Sequence, residues 1–190
     1  VVVVFNGEIY NFQELRAELE GMGYTFHCNA DTEVLVHGYE AWGESLVDRL
    51  RGMYGFVVYD ARAHKLFGAR DIFGIKPFYY TLQDGEHGPQ FIFASEIKCI
   101  LEHPAYEREL NEEALEQYLC FQFSALPETF FKGIYKLEPA HCMTVRADGT
   151  TETRRYWRPA YDFDESRSRE DTVEAIDAAM RESVRYHNVA

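Results

Sequence analysis

The opening stretch, "VVVVFNGEIYN", is apolar through Phe5 and resumes at Ile9 and Tyr10, which predicts a buried strand at the start of the chain. Asn6-Gly7 after such a run is a strong hairpin signal, because both residues tolerate positive φ. A returning strand has no room, however. Asn11 with Glu14 three residues on reads as a capping box, and Leu15, Leu19 and Met22 recur at helical spacing until Gly21 and Gly23 stop the run. The pair therefore joins a strand to a helix. In "NADTEVLVHGYEAWGESLVDRL" a capping residue, Asn29 or Asp31, precedes Val34, Leu35, Tyr39, Trp42, Leu46 and Leu50 on one stripe. That pattern predicts two consecutive helices broken near Gly43.

From Met53 the period shortens. "MYGFVVYD", "KLFGARD", "KPFYYTL" and "QFIFAS" are β-branched or aromatic runs separated by turn clusters such as "QDGEHGPQ", and they predict an antiparallel meander. Ser95 is placed to cap a short helix, "SEIKCILEH", that ends at Pro104, and Asn111 to cap "NEEALEQYLCFQF". "HCMTVRADGTTETRRYW" reads as a second hairpin turning at Asp148-Gly149. Residues 158–170 are polar and charged, as in a linker, and beyond them Val173, Ile176, Met180, Val184 and His187 follow a helical stripe. Strands bracketed by helices predict an α+β fold of two antiparallel sheets with helices outside them.

Composition narrows what such a fold serves. Hydrophobic residues make up 46% and charged residues 27%, which suits one cored domain and excludes a disordered chain. The formal charge of −13 repels phosphate backbones and anionic lipid, so neither nucleic acid nor a membrane is an expected partner. Cys28, Cys99, Cys120 and Cys142 show neither a C-x-x-C pair nor metal-type spacing with histidine, so free thiols, no metal site and a cytoplasmic protein are expected. The apolar start is too short for a signal peptide or a membrane span. Val1 falls inside the first strand without an initiator methionine, so a fragment is expected.

"FNGEIYN", "ADTEV", "RGMYGFVVYD", "ARDIFGIKPFYY" and "FASEIKCIL", in this order, resemble the class II glutamine amidotransferase domain. The later "FKGIYKLEPAH" and "YWRP" resemble the glutamine-hydrolysing asparagine synthetases within that superfamily. The resemblance implies a four-layer sandwich of the N-terminal-nucleophile kind, with its N-terminal part missing here. It also implies a glutaminase domain over residues 1–157, a linker over 158–170 and the start of a synthetase domain over 171–190. In the family a cysteine at the mature N-terminus attacks the glutamine amide, and the ammonia released passes to a synthetase site that uses ATP and Mg to amidate aspartate. No cofactor is implied for the domain present here. Its partners would be glutamine and the synthetase domain of the same chain.

The residues that carry the resemblance match specific roles. Asn6 and Gly7 correspond to the family's oxyanion pair, the Asn side-chain amide and the Gly backbone N–H. Glycine suits the second role because no Cβ obstructs close approach. Asp31 matches the contact to the α-amino group of glutamine, for which a carboxylate is the natural acceptor. Its other reading is a helix N-cap, and one residue does both only if its two oxygens divide the work. Glu8 lines the same pocket or is a solvated charge. Arg70, Asp71, Gly74 and Pro77 match a family motif and read as a structural turn tied by an ion pair or by backbone hydrogen bonds; Ser95 and Glu96 read as helix initiation, and no histidine is assigned to catalysis.

The sequence departs from the family pattern in four places. The nucleophilic cysteine, the upstream loop whose arginine holds the glutamine carboxylate, and the Ser-Gly-Gly pyrophosphate loop are not in this stretch, so Val1–Ala190 alone is expected to be inactive. Ala140 stands where related sequences usually carry glycine. Other class II enzymes, of the glucosamine phosphate or phosphoribosylamine type, and nucleophile-less relatives of the β-lactam synthetase type are the alternatives. An uncovered Val1–Phe5 edge would recruit a second copy, giving a homodimer or an aggregate.

Overall fold

The computed structural model describes residues 1–86, 88–123, 127–161 and 166–188. Strands β1 (Val2–Ile9), β2 (Gly52–Asp60), β3 (Lys65–Arg70), β7 (His141–Arg146) and β8 (Thr151–Arg155) form one antiparallel sheet in the order β1-β2-β3-β7-β8. Strands β4 (Tyr79–Gly85), β5 (Gly88–Ala94) and β6 (Tyr135–Lys136) form a second, in the order β5-β4-β6. Helices α1 (Phe12–Gly21) and α2 (Asp31–Trp42) cover the outer face of the first sheet, and α3 (Ile97–Leu101) covers that of the second. The result is the four-layer α+β sandwich.

Alternation along the strands sets the layers. On β2, Phe56 and Val58 join Leu15, Leu19, Val34 and Leu35 from the helices, while Val57 between them packs against Phe78, Leu137 and Met143 in the seam between the sheets. Such a strand is buried on both faces, which is why it reads as a continuous apolar run. Each of these side chains contributes roughly 1.5–3 kcal/mol by leaving water. On β5, Phe91 and Phe93 face the seam, and Ile92 and Ala94 face Ile100 of α3.

Several expectations are corrected. The meander is split: the chain changes sheets between β3 and β4, at residues 71–78. Asp71 accepts the backbone N–H groups of Phe73, Ile75 and Lys76, and Arg70 donates to the carbonyls of Lys76, Leu137 and Gly74, all within 3.1 Å. Backbone hydrogen bonds, rather than an ion pair, hold this turn. Gly74 takes φ +64°, and Pro77 has no N–H with which to extend the β3 ladder. The helix expected after Gly43 is a 3-10 turn over Gly43–Asp48.

β1 is buried only in part. Val3 and Phe5 pack on the helix side, whereas Val2 and Val4 are 61% and 57% exposed, because β1 is an edge strand and three strands cover only part of a five-stranded sheet. Asn11 does not form a capping box; its side chain bridges the Arg49 carbonyl and the Arg51 N–H, pinning the start of α1 to the approach to β2. Asn111 does cap α4 (Glu112–Phe121), accepting from the Ala114 N–H. The hairpin of β7 and β8 turns at Gly149, φ +84°.

The C-terminal helix α5 (Arg169–His187) begins at Ser168, which accepts the Asp171 N–H, and it buries no residue. Val173, Ile176, Met180 and Val184 are all exposed. Its last turns touch the body of the molecule: the Tyr186 hydroxyl donates to Glu14 at 2.7 Å, Arg51 lies over the Tyr186 ring, and His187 packs on Tyr10. Of the expected 158–170 linker, residues 162–165 lie outside the described residues, as do His87 and positions 189–190.

Candidate active site at the edge of the first sheet

The β1 strand runs straight through Asn6-Gly7, so the pair is neither a hairpin nor the junction to α1. Gly7 adopts φ +153° opposite Tyr54 of β2, and a Cβ there would collide with the Met53 carbonyl oxygen and sit 2.7 Å from the Tyr54 Cα. Only glycine fits. The direction of its N–H follows from its neighbour. Tyr54 donates its own N–H to the Asp71 carboxylate at 3.2 Å and accepts the Asp71 N–H at 2.8 Å, so both Tyr54 polar groups point towards β3. Gly7 thus stands at a non-hydrogen-bonded position of the β1–β2 ladder, and its N–H faces the open edge of the sheet.

Two residues on, the Ile9 N–H faces the same edge and donates to Asp31 Oδ2 at 2.9 Å. Asp31 is the first residue of α2. Ala30 holds the N-cap position and the Asp31 side chain makes no cap bond, so the capping roles considered for Asn29 and Asp31 are not taken. The other Asp31 oxygen, Oδ1, has only a 3.4 Å contact to the Thr32 hydroxyl. One oxygen is fixed by the backbone and the other carries only this longer contact. A cleft of about 290 Å³ joins Gly7, Glu8, Phe12, Asn29 and Asp31, close to the lower end of small-molecule pockets at roughly 300 Å³. Glu8 is half-buried in this cleft. Its charge adds to burial in raising the Tyr10 phenol above its ordinary pKa.

Asn6 leaves the strand in another direction. Its Nδ2 donates to Ser95 Oγ at 2.9 Å across the gap to the second sheet, beside a slot of about 170 Å³ walled by Val4, Phe78 and Phe93. Ser95 is accordingly not a cap; Glu96 holds that position for α3 without a side-chain cap bond. The structure brings Gly7, Glu8 and Asp31 into one cleft and places the Asn6 amide on the adjoining face. Sequence reasoning missed the Ser95 partner and the Ile9 anchor. Local pattern carried no signal for the first, because an exposed Asn amide can be satisfied by water as well as by a distant residue.

Behind the site, burial pushes the phenols of Tyr54 and Tyr156 well above their ordinary pKa, and their hydroxyls lie 3.0 Å apart. Tyr156 donates onward to the Arg70 carbonyl at 2.6 Å, so a neutral hydrogen-bonded pair ties β2 to the sheet-switching turn. Among the described residues no cluster of three or more His, Cys, Asp or Glu side chains is placed to hold a metal ion, and no helix is long and apolar enough to cross a membrane.

A four-layer sandwich with this edge site defines the chain as a class II amidotransferase fold, and the comparisons agree: the model of the glutamine amidotransferase domain matches residues 1–157, so the chain belongs to that family. Among its relatives are two glutamine-hydrolysing asparagine synthetases of Bacillus subtilis (strain 168). Number 1 is 41% identical over 97% of this chain, and number 3 is 39% identical over 96%. The chain spans only 28% and 29% of their respective lengths. Among solved structures, the glutamine phosphoribosylpyrophosphate amidotransferase of B. subtilis, complexed with ADP and GMP, superposes with a TM-score of 0.55. At 19% identity, over 83% of this chain and 29% of that one, it supports the fold alone.

Proposed function

We propose that this chain is the glutamine-hydrolysing part of an asparagine synthetase, releasing ammonia from glutamine for the ATP-dependent amidation of aspartate at a synthetase domain. The observation that carries the reading is the division of labour at Asp31: Oδ2 is fixed by the Ile9 N–H, while Oδ1 faces a cleft shared with Gly7 and Glu8. An ammonium group bound by Oδ1 anchors the amino-acid end of glutamine. The side-chain amide then reaches towards Gly7 and Asn6, one N–H from each being offered to the oxyanion formed when a nucleophile adds to the carbonyl. Donors held in place before the charge develops stabilise the transition state without reorganisation.

On this reading residues 1–157 form the glutaminase unit, 158–170 a linker and 171–190 the entry to the synthetase domain. Several features support it: the family match ends at residue 157, α5 buries none of its residues, and the named relatives are much longer than this chain. The catalytic cysteine and the ATP-binding loop then belong to parts of the protein outside Val1–Ala190, and a polypeptide of only these residues releases no ammonia from glutamine.

Steady-state kinetics of the full-length protein test the proposal. Asn6→Ala lowers glutamine-supported turnover by roughly 10²–10³ relative to ammonia-supported turnover, the range for one oxyanion donor. Asp31→Ala chiefly raises the KM for glutamine. Equal loss with both nitrogen donors in the first variant, or an unchanged KM in the second, refutes these roles.

A further inference from the structure

We propose that Ser95 is the positioning residue for the Asn6 amide, so that the second sheet, which holds none of the residues matched to the family's site, sets the orientation of an oxyanion donor. The inference rests on the oxyanion reading of Asn6. Its basis is the 2.9 Å hydrogen bond from Asn6 Nδ2 to Ser95 Oγ, which joins residues 89 positions apart. A carboxamide nitrogen carries two hydrogens. With one held by the Ser95 hydroxyl, rotation about the last side-chain torsion is arrested and the other hydrogen is left for a ligand.

An exposed edge-strand Asn otherwise samples a broad range of that torsion. The brace is itself held firmly. Ala94 pairs with Tyr79 in the β4–β5 ladder on one side of Ser95, and on the other side α3 buries Ile100 completely in the cluster beneath the second sheet. Val4, Phe78 and Phe93 line the slot beside the bond. Ser95 thereby acts as a fixed point to which the mobile amide is referred, a role that helix capping would not require.

The experiment is a double-mutant cycle on the full-length protein, with glutamine-supported kcat and KM measured against ammonia-supported turnover of the same preparations. Ser95→Ala lowers glutamine-supported kcat about ten- to a hundredfold, the scale of misplacing a reacting group by an ångström or less, with KM little changed. Ser95→Thr, which keeps an acceptor oxygen, restores most of the rate. Ser95→Cys, with a weak acceptor of similar size, gives an intermediate loss and serves if the alanine variant does not fold. Adding Ser95→Ala to Asn6→Ala costs nothing more. The inference is overturned if Ser95→Ala leaves kcat intact while Asn6→Ala lowers it, or if the two losses multiply. It is also overturned if ammonia-supported turnover falls in step. If Asn6→Ala itself leaves glutamine-supported kcat unchanged, the oxyanion reading beneath it falls instead, and the inference with it.

Discussion

Replacing Asp71 by Asn preserves shape and removes one oxygen acceptor, at a cost that the hydrogen-bond geometry fixes. Asp71 is completely buried. Its Oδ1 accepts from the N–H groups of Phe73 and Ile75, and its Oδ2 from those of Tyr54 and Lys76, at 2.9 to 3.2 Å. Each oxygen therefore serves two backbone donors. Whichever way the Asn carboxamide is turned, its NH2 group faces two N–H groups where an acceptor stood. Two buried donors left without partners cost about 1–3 kcal/mol each, so Asp71→Asn destabilises by roughly 2–6 kcal/mol. That is a large share of the 5–15 kcal/mol typical of a domain. Equilibrium urea unfolding followed by tryptophan fluorescence measures it as a lower midpoint at unchanged slope. A loss below about 1 kcal/mol would show that the turn re-forms its hydrogen bonds around the amide, and would refute the reasoning. Because Tyr54 sits opposite Gly7 in the ladder, glutamine-supported activity should fall as well.

The remaining predictions concern single positions. Ala140 is buried at φ +61°, a left-handed conformation that costs an L-residue about 1–2 kcal/mol. Ala140→Gly removes that strain against an entropy penalty of about 0.4–1 kcal/mol, a net stabilisation of about 0–1.6 kcal/mol, centred near 0.8. Calorimetry should show a rise of a few °C in Tm; a fall would contradict the strain argument. Glu33 accepts hydrogen bonds from the Cys28 thiol and from the His27 and Cys28 N–H groups, which hold its carboxyl down at about 2. Its folded pKa lies below the unfolded value of about 4.3, so its stabilisation is present above that pH and is lost as pH falls towards 2. Glu33→Gln should flatten the acid limb of the unfolding midpoint, and parallel limbs for the two proteins would exclude the assignment.

Local pattern carried much of the fold. Periodicity located the strands except the two-residue β6 and the helices except the 3-10 turn after Gly43, Asn111 capped where it was expected, and the Asp148-Gly149 turn formed. The misread positions share one cause. Asn11 and Ser95 look like caps from their neighbours in sequence, but their side chains are claimed by groups 38 to 40 and 89 positions away. The meander broke because the buried Asp71 collects N–H groups from both sides of the turn, a bond pattern with no signature in hydropathy. At the site, Gly7 was singled out through the resemblance of the flanking motifs; the steric demand for glycine there comes from the β1–β2 pairing, which local pattern did not show. The division of the two Asp31 oxygens was not legible either, since it depends on the register that brings the start of α2 beside Ile9.

The split between the sheets also sets the order in which the protein can fold during its own synthesis. The β4–β5 hairpin is complete once Ala94 is made, with Val57 and Leu66 already available to its aromatic face, but the cover of Phe78, Phe91 and Phe93 is completed only by Leu137, Met143 and Val145. At 5–20 residues per second, the roughly fifty residues between Phe93 and Met143 take about 3–10 s to add. For that interval an aromatic surface waits on the ribosome for the strand that will close over it, and a pause in translation between α3 and β7 prolongs the exposure.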